Sequence, residues 1–297
     1  AMMGSGIVWI PNATMSCWNR SGLKARHGRR FSSTMRILIT GGLGFLGGRI
    51  AQSLIKEGHQ VVIGSRVDSS SPDYLLPVDV RKIDWNNESS IINACLGVEV
   101  VIHASGMNAK DCAENEEQAF LVNAVYTEKI ARAARQQKVR KFIFFSTAHV
   151  YASPLEGVVN EQSATTNTHP YAISNLAGEE AVLAISDRSS MNSNILRLSN
   201  VFGAPLYKSV NCWMLLVNDL CKQAVSKGEL VLDSTGDQFR DFVTITDLCC
   251  VINEMIKRNR AGQESEVVNV GSGKSVKSGL ENYQDWQSSF KKNFFSA

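Results

Sequence analysis

The chain alternates short, almost unbroken apolar runs with longer segments of helical period. Arg36-Ile37-Leu38-Ile39-Thr40 reads as a buried strand, Gln60 to Gly64 as a second, Glu99 to His103 as a third and Lys141 to Ser146 as a fourth. Phe45 to Glu57 carries apolar residues three and four apart, and Gly58 follows as a helix-ending cap. Roughly Asp111 to Gln137 has the same periodicity with alternating charge. Gly157 to Thr168 is a polar loop, Pro170 to about Ile185 a helix, and Ser193 to Leu198 a strand. Strands apolar at successive positions have no wet face. The pattern therefore predicts an α/β fold with a doubly wound parallel sheet covered by helices on both sides. After Asn200 the alternation becomes irregular, and residues 201–297 are expected to form mostly a smaller, discontinuous lobe. No tandem repeat is visible.

Composition narrows the setting. A chain of 297 residues with 44% hydrophobic content holds one large α/β domain or two smaller ones. No run approaches eighteen apolar residues, so no membrane span is expected. The net charge of +3 is uneven: residues 1–34 carry Arg20, Lys24, Arg26, Arg29 and Arg30 and no acid. Removing those five from 31 basic residues leaves 26 against 28 acidic, a near-neutral body that gives no electrostatic case for nucleic acid. The basic, Ser-rich first 34 residues suit a disordered leader, tag or transit-like segment. The expected location is cytoplasmic, with organelle import if that segment is a genuine transit peptide. Seven scattered cysteines without a CxxC pair read as reduced thiols, with no metal site.

Gly41, Gly44 and Gly47 stand between a strand and a helix in the spacing G-x-x-G-x-x-G, with Phe45 and Leu46 opening the helix. Glycine lets backbone approach a pyrophosphate, and the helix start offers N–H groups and a positive dipole end. The second strand ends in Ser65-Arg66, where an acidic residue would bond the ribose 2′-hydroxyl of NAD. A hydroxyl and a guanidinium suit a 2′-phosphate, so NADP(H) is favoured over NAD(H).

Together with His169-Pro170-Tyr171-Ala172-Ile173-Ser174-Asn175, this fingerprint resembles the extended short-chain dehydrogenase/reductase family, the NAD(P)-dependent sugar-nucleotide epimerases, dehydratases and reductases. The resemblance runs from about Met35 to Lys274. It implies a Rossmann-type domain over 35–200, a substrate-binding lobe over 201–297, a nucleotide-sugar substrate and a homodimer. It further implies that Asp84 lies near the adenine, that Ala104, Ser105 and Gly106 line the cofactor, and that Tyr171 is the acid/base beside the nicotinamide. Thr147 matches the hydroxyl residue at the substrate oxygen, and Asn123 the helix asparagine near the active site. Asn200 (in Leu196-Arg197-Leu198-Ser199-Asn200-Val201-Phe202-Gly203) and Arg240 (in Arg240-Asp241-Phe242) match sugar-nucleotide and diphosphate contacts. Asp241 and Asp247 are expected to brace loops.

One family residue differs. The lysine of Tyr-x-x-x-Lys is Asn175, whose amide can bond a ribose hydroxyl but carries no charge. A free tyrosine titrates near 10 and needs a neighbouring positive charge to act near neutrality. Impaired proton transfer is therefore expected, worse for oxidation than for reduction. His149 and His169 stand near enough in sequence to substitute as a base; His103 is expected to be packing. Ala148-His149 replaces the Asp-Glu of the 4,6-dehydratases, which argues against that class. The leading expectation is an NAD(P)-dependent epimerase or reductase of nucleotide sugars. The alternative is a catalytically silent NADP(H)-binding sensor or scaffold of the same fold.

Overall fold

The computed structural model describes residues 8–9, 34–68, 72–75, 78–155, 157–227, 230–232, 236–257 and 264–277. Seven parallel strands form the central sheet: β1 (Arg36–Thr40), β2 (Gln60–Ser65), β3 (Asp79–Lys82), β4 (Val100–His103), β5 (Lys141–Thr147), β6 (Asn192–Leu198) and a later strand, Glu266–Val270. The short β7 (Asn200–Phe202) and β8 (Phe239–Thr244) precede that later strand, which is β9; Ser275–Lys277 is β10. The order across the sheet is β9-β6-β5-β4-β1-β2-β3. The chain thus starts in the middle, winds outward to one edge, and crosses back to the other.

Alternation explains why the strands read as solid apolar runs. On β1, Ile37 and Ile39 join one core with Ile50 and Leu54 of α1 (Phe45–Lys56) and Leu248 and Ile252 of α8 (Ile245–Lys257). Leu38 between them faces the opposite core, with Ile130 of α5 (Tyr126–Gln136) and Val182 and Ile185 of α6 (Pro170–Ser186). Successive side chains point to opposite faces, and both faces are dry.

Two departures from the sequence pattern matter. The single helix expected over about 111–137 is broken into α3 (Ala109–Glu114), α4 (Glu116–Phe120), a π-helical turn Leu121–Val125, and α5. Asn115 causes the first break: its side chain accepts the Gln118 N–H at 2.9 Å and caps α4. The π turn carries Asn123. Secondly, α8 and β9 lie in the span expected to be mostly the substrate lobe, yet α8 packs in the α1-side core and β9 pairs with β6 in the main sheet. What stands apart is a three-stranded sheet of β10-β8-β7 and α7 (Leu216–Ser226).

Of the N-terminal segment, Val8–Trp9 pairs in parallel with Val158–Val159. The rest of the expected leader, Cys17 and the tail from residue 278 lie outside the described residues. Among the described residues no helix is long and apolar enough to cross a membrane, and no cluster of His, Cys, Asp or Glu is placed to hold a metal. The six described cysteines are free thiols.

Candidate active site

All parallel strands end at one edge of the sheet, which brings the glycine turn after β1, the loop after β4, and Thr147 at the end of β5 to the same side. The turn is a backbone construction. Gly41 sits at φ 68 and its carbonyl accepts the Gly44 N–H at 2.8 Å. A Cβ on Gly47 would lie 2.3 Å from the Gly41 oxygen, so helix and turn touch without room for a methyl group. A Cβ on Gly41 would lie 2.9 Å from the Ala104 carbonyl oxygen, which fixes the Ala104–Gly106 loop against the turn. The N-cap of α1, Gly44, supplies no side-chain cap, and no acid stands in the first turn. Uncapped amides and a positive dipole end beside closely approachable backbone fit a dinucleotide diphosphate. Gly41, Gly44, Phe45, Leu46 and Gly47 would hold it there.

At the end of β2, Ser65 is committed locally: its Oγ donates to the Val67 carbonyl at 2.8 Å and accepts the Val67 N–H at 3.2 Å. Arg66 beside it is exposed. Asp84 is exposed just after β3 and accepts the Asn86 N–H at 3.0 Å.

His103 is packed, as expected, and ties the strand before the glycine turn to the π turn that carries Asn123. It is 1% exposed, with Nδ1 2.6 Å from Thr40 Oγ1 and Nε2 3.0 Å from Thr127 Oγ1. Thr127 Oγ1 spends its proton on the Asn123 carbonyl at 2.8 Å. It must therefore accept from Nε2–H, which leaves Nδ1 to accept from Thr40. Burial pushes the imidazole down to about 3, so it stays neutral. The hydroxyl–imidazole–hydroxyl chain ends on the π turn. There Asn123 accepts the Met107 N–H at 2.8 Å and donates to Ser174 Oγ at 3.0 Å. A Cβ on Gly178 would lie 2.6 Å from the Asn123 carbonyl oxygen, so α6 lies directly on this turn.

Helix α6 begins at a defined point. His169 is its N-cap and its Nδ1 accepts the Tyr171 N–H at 3.1 Å, with Pro170 in the first turn. The Thr147 hydroxyl stands close enough to the Tyr171 phenol to act on it, and Thr147 Oγ1 accepts the His149 N–H at 3.2 Å. Burial pushes the Tyr171 phenol above 10; the neighbouring Thr147 hydroxyl opposes that rise and the nearby Cys112 thiol adds to it. Asn175 is buried and donates its amide to the Tyr171 carbonyl at 2.8 Å, one turn back on its own helix. Among the described residues no cation acts on the phenol. The structure thus brings Thr147, Tyr171, Asn175 and Asn123 together.

On the substrate side, Asn200 donates to the Asp241 carbonyl at 2.9 Å, across the β7–β8 pairing. Arg240 is half-buried, bonds Gln238 at 2.9 Å, and is lowered by burial. Asp241 is 1% exposed and accepts from the Ser199 hydroxyl, the Ser272 N–H and hydroxyl, and the Lys274 N–H, all within 3.1 Å. Asp247 accepts the Thr244 hydroxyl at 2.8 Å at the start of α8. Both aspartates brace structure, as expected.

Sequence reasoning missed the support beneath the site. Glu179 and Arg197 form a buried ion pair, with Nη2–Oε2 at 2.6 Å and side chains 1% and 8% exposed. Ser146, next to Thr147, also bonds Glu179, and Arg197 donates to the Tyr151 hydroxyl at 3.0 Å. The pair holds α6 against β5 and β6. Its signal was available, since Tyr171, Asn175 and Glu179 recur every four residues and share one helix face. Cys112, 3.5 Å from the Asn123 amide, had no such signal.

The profile of the NAD dependent epimerase/dehydratase family matches residues 37–271, and the chain belongs to that family. It is 27% identical over 250 residues to a putative UDP-glucose 4-epimerase of Methanocaldococcus jannaschii, covering 81% of this chain and 78% of the relative. It is 25% identical over 253 residues to a dTDP-glucose 4,6-dehydratase of Streptomyces niveus, covering 80% and 73%. Among solved structures, the NAD dependent NDP-hexosamine 5,6-dehydratase TunA superposes with TM-score 0.70 at 26% identity over 88% of this chain and 83% of that one. MoeE5 in complex with UDP-glucuronic acid and NAD gives TM-score 0.73 at 22% identity over 87% and 83%, a likeness of fold.

Proposed function

We propose that this member of the NAD dependent epimerase/dehydratase family acts on a nucleotide sugar by hydride transfer at a sugar carbon, with slow proton transfer. The observation that carries the reading is the placement of Thr147, at the end of β5, and Tyr171, in the first turn of α6, beside one another at the sheet edge that also presents the glycine turn. When bound, the nicotinamide accepts or returns the hydride. Thr147 and Tyr171 handle the proton at the sugar oxygen, and Arg240 offers a bidentate contact to the diphosphate. With no cation beside it among the described residues and with burial raising its phenol, Tyr171 is a ready acid and a poor base at pH 7. Reduction of a ketosugar then outruns oxidation of the alcohol. Ala148 leaves no acid for eliminating water, which favours epimerisation or reduction over 4,6-dehydration. For the cofactor we favour NADP(H), on the exposed Arg66 guanidinium alone, because the Ser65 hydroxyl is already engaged.

Incubation of UDP- and dTDP-hexoses with NAD⁺ or NADP⁺, followed by chromatography, tests the reading. Slow, cofactor-dependent conversion is expected. Cofactor binding with no conversion by the wild type, and conversion only after Asn175→Lys, would favour the silent sensor or scaffold. The specific observation on that side is the Asn175 amide turned onto its own helix.

A further inference from the structure

The loop after β7 reaches back to the nucleotide-binding half of the molecule. It leaves the strand at Gly203, whose φ of 143 favours glycine and where a Cβ would lie 2.6 Å from Ile245 Cγ2. The buried Asn218 of α7 holds both backbone groups of Gly203: its Oδ1 accepts the N–H at 3.1 Å and its Nδ2 donates to the carbonyl at 3.1 Å. Residues 204–215 then bond to one another. The Val210 N–H donates to the Tyr207 carbonyl at 3.2 Å, the Leu215 N–H to the Cys212 carbonyl at 3.2 Å, and the Trp213 indole N–H to the Lys208 carbonyl at 3.3 Å. Pinned at its start and bonded to itself, the loop is a braced strap.

Its tip lands in two places. Leu206 packs on α1 at Gly48, the residue after Gly47 of the glycine turn; a Cβ there would be 3.7 Å from the Leu206 Cβ. Tyr207 stacks on Tyr74, with ring centroids 5.0 Å apart and planes 10° from parallel. Tyr74 lies in the single turn Asp73–Leu75 between β2 and β3, downstream of Arg66, and Leu75 beside it is buried in one core with Ile50 and Leu54 of α1. The two contacts differ in kind. Leu206 joins that core, whereas Tyr74 and Tyr207 are 38% and 50% exposed. Parting the rings costs their stacking and little burial, so this is the contact that opens first.

We propose that the strap is a gate for the dinucleotide, and that the Tyr74–Tyr207 stack is the catch that closes it. The proposal rests on the reading that the glycine turn holds a dinucleotide diphosphate. In that reading the turn and Arg66 mark the adenosine half of the ligand, and the strap joins the helix after the turn to the segment after Arg66. With the rings stacked, that segment is tied to the substrate side, and the cofactor neither enters nor leaves. With the rings parted, the strap lifts beyond its Gly203–Asn218 anchor and frees the adenosine half. A net reduction must exchange cofactor in every turnover, so opening of the catch becomes a step of that turnover.

Stopped-flow nicotinamide fluorescence on the full chain tests the gate. NADPH release is followed by chasing the loaded protein with excess NADP⁺, and NADPH capture by direct mixing. Tyr207→Ala should speed release about tenfold and capture by a similar factor, leaving Kd nearly unchanged, because a catch closed with and without ligand obstructs both directions. Tyr74→Ala should do the same, and the double variant should be no faster than either single one. Tyr207→Phe, which keeps the ring, should match the wild type. Release unchanged in both alanine variants, faster release with unchanged capture, or single effects that multiply in the double variant would overturn the gate and leave the dinucleotide reading standing. A wild type that binds neither NADPH nor NADH would overturn both.

Discussion

The glycine turn and the start of α6 lie at the same edge of the sheet and are built by opposite means. The turn is made of backbone: a left-handed Gly41, a Gly47 that leaves no space for a methyl group, and amides left uncapped at α1. The start of α6 is made of side chains. His169 caps it, Thr147 stands beside its tyrosine, and Glu179 anchors it to Arg197 and Ser146. A backbone device works with few side-chain identities, whereas a side-chain device changes its chemistry with one substitution. In the reading proposed above Asn175 is such a position: helix, cap and tyrosine are in place, and among the described residues no charge lowers the phenol.

The comparison is broken most sharply on the side-chain half. Glu179→Ala leaves the Arg197 guanidinium buried without its partner, and unfolding in urea should show a loss of about 3–5 kcal/mol. Next comes the backbone half. Gly47→Ala forces a contact that cannot exist at 2.3 Å. At about 2–3 kcal/mol of strain, cofactor affinity measured by nicotinamide fluorescence should fall roughly a hundredfold, with the fold retained.

The joint between the halves is the Thr40–His103–Thr127 chain, and acid should loosen it. His103 is lowered from 6.5 to about 3 on folding. Its neutral form is stabilised in the native state, so the contribution is full above pH 6.5 and is lost as pH falls towards 3. Between pH 7 and pH 5 this should cost about 2 kcal/mol in urea unfolding. A flat profile over that range would mean the ring is hydrated. The smallest effect belongs to the far edge. Removing the Asp247 brace with Asp247→Ala should lower stability by about 1 kcal/mol and leave cofactor affinity alone.

Legibility followed the same division. Periodicity carries the sheet and its helices because dry strands and amphipathic helices are written in the spacing of apolar residues, and Ile37, Leu38 and Ile39 show both faces of β1 being covered. Gly41 and Gly47 are legible because only glycine meets their geometry. The break at Asn115 and the π turn at Asn123 were not, since a π turn preserves the helical pattern on either side of it. Strand β9 was obscured by the long irregular stretch before it, although Val267 to Val270 pairs residue for residue with Ile195 to Leu198. The Cys112–Asn123 contact and the choice of Arg197 as the partner of Glu179 depend on distant elements meeting, which no local spacing reports.

The pH dependence of ketosugar reduction and of its reverse, compared in the wild type and in Asn175→Lys, tests the central claim most directly. The account predicts that wild-type oxidation keeps rising above pH 9, because burial holds Tyr171 above 10, while the lysine variant levels off near neutrality and gains most in the oxidative direction. A wild-type profile that already levels off near pH 7, or a lysine variant with an unchanged profile, would contradict it.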